Sequence, residues 1–179
     1  MKRLRFNVAM SLDGFIAGPN GEYDWIVQDP SIDFGELWRE FDTVVMGRKT
    51  FVAALEHHPD GSMQGMDVVV VSRTLSPQAY PKVRIVQENV TDEIGALKTG
   101  EGKDIWLFGG GALFRTLFDA GLVDSVEVAL IPVLLGGGIP LIPPGPRSPV
   151  LQLATCKPLP TGIVMLTYAV ESAAATALE

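Results

Sequence analysis

Ile105-Trp106-Leu107-Phe108-Gly109-Gly110-Gly111-Ala112-Leu113-Phe114 is the stretch of the chain that most strongly indicates its fold. The run before the glycines is short and apolar, as in a buried strand, and the run after them suits a helix. Three consecutive glycines allow a tight turn that leaves backbone N–H groups open to a ligand. The stretch therefore predicts a strand-to-helix junction, whose helix N-terminus would favour a phosphate. A plain tight turn is the alternative.

The same alternation of strands and helices extends outward along the chain. Strands are predicted at Leu4–Met10, Thr43–Met46, Asp67–Val71, Val83–Val86, Asp104–Phe108 and Ser125–Ile131, with Leu151–Thr155 and Ile163–Val170 as a closing hairpin. Helices are predicted from an N-cap at Ser31 through Phe41, from Gly47 onward, at Ile94–Lys98, and from the glycines through Phe118. This order predicts an α/β fold in which helices flank a mostly parallel central sheet with an antiparallel C-terminal hairpin.

The composition fits one folded domain over residues 1–170, with 171–179 as a frayed tail. Of the 179 residues, 47% are hydrophobic and 20% are charged, which is typical of a globular protein. The net charge of -7 argues against nucleic-acid binding, which needs a basic surface for the phosphates. The N-terminal apolar run is too short for a signal peptide or a membrane span. We therefore expect a cytoplasmic protein that binds neither nucleic acid nor membrane.

Two conspicuous kinds of side chain favour structural interpretations. Cys156 is the only cysteine, so no intramolecular disulfide can form, and we expect it to be buried among apolar groups. His57 and His58 are adjacent, and adjacent histidines at a helix end usually cap its carbonyl groups. No third ligand stands near them in the sequence, so we predict no metal site.

Two further junctions carry residues suited to phosphate. Gly47-Arg48-Lys49-Thr50 combines a helix start with two cations and a hydroxyl, and Ser72-Arg73 follows the next strand. Either segment alone is equally consistent with solvated surface. In an open α/β sheet, however, ligands bind beyond the carboxyl ends of the strands, where both segments and the glycine turn are predicted to lie. Their joint placement favours a nucleotide ligand.

Three segments resemble dihydrofolate reductases, in that family's order and with similar separations: Val44–Phe51, Val69–Arg73 and Ile105–Phe114. Two others, Ser11–Ala17 and Ile131–Gly138, resemble the reductase domain of the bifunctional riboflavin-biosynthesis deaminase-reductase. From Met1 to nearly Val170, the chain thus resembles the riboflavin-reductase-like branch of the dihydrofolate reductase superfamily. The zinc-deaminase signature of that bifunctional protein does not occur in the sequence.

The resemblance implies NADPH as the cofactor and assigns its binding residues. The phosphates would be bound by Arg48 and Thr50, beside Gly47 and Lys49, and the 2′-phosphate by Ser72 and Arg73. The pyrophosphate would be bound by Gly109, Gly110 and Gly111, with Ala112 and Leu113. The nicotinamide would lie between Ala9 and Ile16. Positive charge at the 2′-phosphate would favour NADPH over NADH. The loop Asp13–Trp25 would act as a lid that excludes water from the hydride path.

The substrate side departs from these families. Dihydrofolate reductases carry a catalytic carboxylate near the helix that precedes the second strand. Without a gap that position is Ser31 here, and with an intervening loop shorter by two residues it is Asp33, which is the candidate; Glu36 is a weaker one. The helix dipole alone also favours an acid at Asp33. Trp25 is the candidate substrate contact, with plain core packing as the alternative. Asn7 stands where riboflavin-type reductases carry a lysine, and His57–Asp60 stand where they carry Asp-Asp-Pro. These differences leave the substrate open.

The resulting expectation is an NADPH-dependent reductase that transfers hydride to a small heterocyclic substrate. The alternatives are a riboflavin-pathway reductase of a ribosylamino-pyrimidine 5′-phosphate, a dihydrofolate reductase, and a nucleotide-binding module without turnover. The resemblance also implies a homodimer with the late hairpin as its contact. Gly136–Gly138 would form either a substrate loop or a subunit contact.

Overall fold

The computed structural model describes residues 1–63 and 65–171. The strands are β1 (Leu4–Ser11), β2 (Phe15–Ala17), β3 (Phe41–Gly47), β4 (Asp67–Val71), β5 (Val83–Val86), β6 (Asp104–Gly109), β7 (Ser125–Ile131), β8 (Ile139–Pro140), β9 (Gln152–Pro158) and β10 (Val164–Ala169). The α-helices are α1 (Phe34–Arg39), α2 (Arg48–Ala54), α3 (Val90–Thr99) and α4 (Gly111–Asp119), and a 3₁₀ helix spans Pro77–Ala79. Apart from Glu171, the predicted frayed tail lies outside the described residues.

Eight strands form one sheet in the order β5-β4-β3-β6-β1-β7-β10-β9. β1 pairs in parallel with β6 and β7, β3 pairs in parallel with β4 and β6, and β4 pairs in parallel with β5. β10 is antiparallel to both of its neighbours, β7 and β9. These pairings confirm the predicted fold class, a mostly parallel sheet with an antiparallel C-terminal hairpin.

The central strands are buried because both faces of the sheet are covered. On one face, Phe6 of β1 stacks on Phe114 of α4 with ring centroids 3.9 Å apart. On the other face, Phe41 and Trp106 stack at 5.4 Å. Val68–Val70 of β4 are all buried, as predicted for a strand covered on both faces. The strand interiors are thus core, and ligand binding is left to the strand ends.

Helix α1 begins two residues later than predicted, because its N-cap is Asp33 and not Ser31. The Asp33 carboxylate accepts a hydrogen bond from the backbone N–H of Glu36 at 2.9 Å. Ser31 is held instead by Asp29, which accepts hydrogen bonds from the hydroxyl and, at 2.8 Å, from the backbone N–H. That local turn satisfies Ser31 and leaves the cap to the next polar residue. The helix also ends before Phe41, the first residue of β3.

Helix α3 is longer than the predicted Ile94–Lys98, since it spans Val90–Thr99. Its first turn carries Asp92 and Glu93, which the helix dipole favours at an N-terminus. The apolar periodicity of the sequence predicted only the part of the helix that contains its buried residues, Ile94 and Lys98.

None of the helices in 1–63 and 65–171 is long and apolar enough to cross a membrane.

The prediction that Cys156 is buried is wrong. Cys156 lies in β9, the outermost strand of the sheet, and every residue of that strand is exposed. An edge strand has a neighbour on one side only, so its apolar residues do not imply burial. The Cys156 thiol is therefore exposed on the outermost strand of the sheet.

Two segments outside the predicted strands and helices pair with each other. β2 lies within the predicted lid Asp13–Trp25, β8 lies within the glycine- and proline-rich segment 132–149, and the two strands are antiparallel. Beside them, the Leu12 N–H donates to the Val133 carbonyl at 2.8 Å. The small sheet therefore joins the loop after β1 to the segment after β7.

Asp29 ties the segment before α1 to the turn between β9 and β10. Its carboxylate accepts a hydrogen bond from the Thr161 hydroxyl at 2.6 Å and one from the Ser31 N–H at 2.8 Å. Hydrogen bonds from Ser31 and then from Thr161 lower the pKa of Asp29 from 3.8 to about 2. The folded state therefore holds Asp29 ionised at a pH where the unfolded chain binds a proton.

We expect Asp29 to stabilise the fold fully above about pH 4 and to lose that contribution as the pH falls towards 2, because the depressed pKa belongs to the folded state. Urea unfolding of the wild type and Asp29→Asn across this range measures the effect. The difference in unfolding free energy should shrink below about pH 4. Asp24→Asn, exposed in the same loop, is the matched control. A difference that stays constant with pH would contradict the assignment.

Candidate functional site

The three predicted phosphate junctions lie side by side at one edge of the sheet. β4, β3 and β6 are parallel neighbours, so their carboxyl ends meet at the same edge. Gly47 pairs with Val71, and Met46 pairs with Gly109. Since neighbouring strands lie about 4.8 Å apart, the three junctions span about 10 Å. A single nucleotide is long enough to contact all three.

The glycine turn after β6 is shaped by its backbone. Gly109 has a φ of +145°, which favours glycine, and the Gly109–Gly110 peptide bond is cis. α4 starts at Gly111, and its N-cap Gly110 forms no side-chain cap. A Cβ on Gly111 would lie 2.9 Å from the carbonyl oxygens of Pro140 and Leu141, so a larger residue does not fit without a backbone shift. The first turn of α4 thus begins with N–H groups that no side chain caps.

Thr50 lies against this glycine turn. A Cβ built on Gly110 would be 3.5 Å from the Thr50 Oγ1, and one built on Gly109 would be 3.6 Å away. Thr50 is half-buried in the first turn of α2, whereas Arg48 and Lys49 are exposed. Neither cation forms an ion pair with a residue that the structure describes. A hydroxyl and two cations therefore stand beside the turn, and these groups suit a phosphate.

Ser72 and Arg73, at the end of β4, have different surroundings. Ser72 is buried, and its Oγ accepts hydrogen bonds from the backbone N–H groups of Thr74 at 3.2 Å and Leu75 at 3.1 Å. The hydroxyl oxygen thus closes the turn, and its proton can still be donated. Arg73 is exposed and has no ion-pair partner within 1–63 and 65–171. This junction offers a guanidinium group to solvent.

The residues predicted to flank a nicotinamide lie at the carboxyl end of β1 and in the loop after it. Ala9 is half-buried and packs in an apolar cluster with Trp25, Ile131 and Ile163. Ile16 is half-buried in β2. Because β1 is the parallel neighbour of β6, its carboxyl end lies at the same sheet edge as the glycine turn. The structure thus brings Ala9 and Trp25 together at that edge.

Asp13 anchors the loop after β1. It accepts hydrogen bonds from the Ser11 hydroxyl at 2.6 Å and from the backbone N–H groups of Leu135 at 3.1 Å and Gly136 at 2.7 Å. The bond from Ser11 is the largest cause that lowers the pKa of Asp13. Gly138 packs so closely on the backbone at the end of β2 that no Cβ fits. The glycine segment after β7 therefore contacts the predicted lid of its own chain.

The two candidate substrate residues also have structural contacts. The Trp25 indole N–H donates to the Glu22 carbonyl at 3.0 Å, and its ring packs against the cluster that contains Ala9. Asp33 is exposed, and its carboxylate caps α1. Both side chains keep some exposure to solvent. The catalytic role of Asp33 and the substrate contact of Trp25 stay predictions.

His57 joins the end of α2 to the predicted lid. Its Nε2 lies 2.8 Å from the Tyr23 hydroxyl, within hydrogen-bonding distance. Within the described part of the chain, no three His, Cys, Asp or Glu side chains form a group that could hold a metal ion. His57 therefore contacts the predicted lid through Tyr23.

The sequence patterns do not predict the buried charge cluster on β1 and β7. Arg5 donates to Glu127 through Nε at 2.6 Å and Nη2 at 2.8 Å. Glu127 also accepts from the Ser125 hydroxyl at 2.7 Å and from the Asn7 amide at 3.0 Å. Burial opposes ionisation of Glu127, but the hydrogen bonds from Arg5 and Ser125 outweigh it and lower the pKa of Glu127. The sequence signal for this pair is that each of two apolar strands contains one charged residue, Arg5 in β1 and Glu127 in β7, and that the two charges are opposite.

Known proteins resemble this chain in sequence and in architecture. The RibD C-terminal domain family model matches residues 2–165. The uncharacterised Bacillus subtilis (strain 168) protein YyaP is 33% identical over 178 residues, covering 93% of this chain and 94% of YyaP. A solved structure from Shewanella sp. PV-4, provisionally described as a riboflavin biosynthesis protein, has a TM-score of 0.80 at 29% identity over 96% of this chain and 99% of that chain.

A more distant solved structure shares the fold. Dihydrofolate reductase from Enterococcus faecalis, complexed with NADP(H), has a TM-score of 0.71 at 19% identity over 93% of this chain and 95% of that chain. Its topology supports the dihydrofolate-reductase-like fold class. The match to the RibD C-terminal domain family model identifies the family within that fold class. The chain belongs to the RibD C-terminal domain family.

Proposed function

We propose that the protein is an NADPH-dependent reductase that transfers a hydride to a small heterocyclic substrate. The observation that carries the proposal is the placement of three phosphate-suited junctions, Gly47–Thr50, Ser72–Arg73 and Gly109–Gly111, at adjacent strand ends of one sheet edge. Membership of a reductase-domain family supports it. An open sheet binds its ligand at that edge.

Each junction has a proposed part in holding the cofactor. Arg48, Lys49 and Thr50 would bind the bridging phosphates, which are the two phosphates of the pyrophosphate that joins the nucleosides. Arg73, supported by the Ser72 turn, would bind the 2′-phosphate. The glycine turn and the first N–H groups of α4, including those of Ala112 and Leu113, would bind the pyrophosphate. The Leu113 side chain lies in the core, so only its backbone is available for this role.

The bound cofactor would supply the hydride, and the chain would position and shield the reacting groups. Ala9 and Ile16 would hold the nicotinamide, Trp25 would contact the substrate, and the anchored loop after β1 would exclude water. The proton that completes reduction would come from Asp33 or from a water molecule.

We also propose that the protein forms a homodimer through the exposed strand β9. A monomer in analytical sedimentation would contradict the homodimer.

Turnover tests the proposal. NADPH oxidation is followed by the loss of nicotinamide absorbance with dihydrofolate, and separately with the ribosylamino-pyrimidine 5′-phosphate of the riboflavin pathway. Oxidation with either acceptor supports a reductase and identifies its branch. Cofactor binding without oxidation by a broad panel of heterocycles would favour a nucleotide-binding module instead.

Asp13→Ala is expected to loosen the lid, because three hydrogen bonds that join it to Ser11, Leu135 and Gly136 are lost. Amide hydrogen exchange at Gly136 should speed up by about tenfold, and the Kd for NADPH should rise by about threefold to tenfold. Asp13→Asn, which keeps one acceptor oxygen, should change both values less. An unchanged exchange rate at Gly136 in Asp13→Ala would show that the carboxylate does not anchor the loop.

A further inference from the structure

The buried charge cluster controls the orientation of one side chain near the proposed active site. Glu127 is 8% exposed, and four hydrogen bonds reach its carboxylate: two from Arg5, one from Ser125 and one from Asn7. Arg5 also contacts Glu40 and lies over the Phe41 ring, with its guanidinium carbon 4.7 Å from the ring centroid. These contacts fix the guanidinium, which in turn fixes the carboxylate.

An ionised carboxylate only accepts hydrogen bonds, so the Asn7 amide must turn its NH₂ group towards Glu127. The 3.0 Å contact between Nδ2 and Oε2 has this arrangement. The carbonyl oxygen Oδ1 therefore points away from the cluster. Among residues 1–63 and 65–171, Oδ1 has no hydrogen-bond donor, and no fully buried side-chain polar atom lacks a partner. It follows that Oδ1 is not fully buried and retains some contact with solvent.

Asn7 lies on the same face of β1 as Ala9, because side chains alternate along a strand. The two positions are about 7 Å apart, which is close to the length of a two-ring heterocycle. The indole N–H of Trp106 donates to the Asn7 carbonyl at 3.0 Å and so restrains the backbone at this position. A ring that contacts a nicotinamide near Ala9 can thus reach a fixed hydrogen-bond acceptor at its other end.

We infer that Asn7 determines substrate specificity, and that its Oδ1 selects a nitrogen heterocycle that presents a neutral N–H donor, either an amino group or a ring amide. Glu127 is the positioning residue that keeps this oxygen facing the substrate. The inference rests on the proposed reductase function, since it takes the Ala9 end of β1 as the reaction site. A heterocycle whose corresponding edge only accepts hydrogen bonds would meet oxygen against nitrogen lone pairs and bind poorly.

Two ligands of the same shape test the inference: 2-aminoquinazoline, which carries an N–H donor, and 2-methylquinazoline, which does not. Their dissociation constants are measured by ligand-observed NMR on the full chain, with and without NADP⁺. The wild type should bind the amino compound about tenfold more tightly. Asn7→Leu, which has a similar volume and no acceptor, should bind the two compounds about equally. Gln152→Leu, an amide lost at the far edge of the sheet, is the matched control and should keep the preference.

Glu127→Gln adds a readout that loss of stability alone would not move. A glutamine can donate as well as accept, so the Asn7 amide can present either its oxygen or its nitrogen. The preference for the amino compound should fall to an intermediate value. If this variant does not fold, Asn7→Leu still decides the question.

Equal binding of the two quinazolines by the wild type, failure of both to bind, or a preference that persists in Asn7→Leu would each overturn the inference. A separate NADPH titration of the same proteins tests the proposed function. Failure to bind NADPH would remove the reductase proposal, and the quinazoline comparison without cofactor would still report on Asn7. The two failures are therefore distinguishable.

Discussion

A chain in which Glu127 is replaced by alanine is expected to lose about 3 kcal/mol of unfolding free energy. Glu127 is buried and holds two nitrogen atoms of Arg5, so its removal leaves a largely desolvated guanidinium. The value is at the lower end of the range for a broken buried pair, because Glu40 and Asp104 also contact Arg5. The Ser125 hydroxyl loses its acceptor as well. Urea denaturation at neutral pH measures the loss.

Glu93→Ala is the matched control for this loss of stability. Glu93 pairs with Arg84, but the two side chains are 41% and 51% exposed, so the change should be less than about 1 kcal/mol. Because the folded state lowers the pKa of Glu127, its stabilising effect should be present above about pH 4.3 and decline as the pH falls. Equal losses of unfolding free energy in Glu127→Ala and Glu93→Ala would show that the buried charge cluster stabilises the fold no more than an exposed ion pair.

Arg48→Ala is expected to weaken the binding of both NADPH and NADH, whereas Arg73→Ala is expected to weaken only that of NADPH. Each loss should be about 1–3 kcal/mol, the range for a hydrogen bond to a charged group. The reason for the difference is chemical: both cofactors have bridging phosphates, but only NADPH has the 2′-phosphate assigned to Arg73. Both side chains are exposed, so neither variant should lose much stability.

Arg3→Ala is the matched control for these two variants. Arg3 is exposed and precedes the first residue of β1, so it lies at the opposite edge of the sheet from the phosphate junctions. Its removal changes the net charge by the same amount and should leave both dissociation constants within about twofold of the wild type. If Arg3→Ala weakened NADPH as much as the other two, the effect would be due to overall charge and not to a site.

The sequence predicted the parts of the fold that depend on local patterns. The strand, glycine turn and helix around Gly109–Gly111 are contiguous, as are the valines of β4, so periodicity and turn chemistry were sufficient. The placement of the three junctions at one sheet edge also followed from the rule that ligands bind beyond the carboxyl ends of parallel strands. The order β4-β3-β6, which makes them neighbours, was not predicted. The predicted cofactor residues are grouped there, although their role stays a prediction.

What the sequence did not predict depends on contacts between distant segments. Ser31 has a good capping side chain, but Asp29 engages it and Asp33 becomes the cap. Cys156 has apolar neighbours in sequence, yet its strand lies at the sheet edge. Arg5 and Glu127 are separated by more than a hundred residues, and only the pairing of β1 with β7 brings them together. Single-sequence patterns do not give the strand order that creates such pairings.

We propose that the sheet edge formed by the carboxyl ends of β4, β3 and β6 is an NADPH site. Titration of the wild-type protein with NADPH and with NADH, followed by nicotinamide fluorescence, tests it most directly. We predict saturable binding of NADPH, at least about tenfold tighter than that of NADH, because Arg73 has a 2′-phosphate to bind in NADPH alone. Equal affinity for the two cofactors, or no saturable binding of either, would contradict the account.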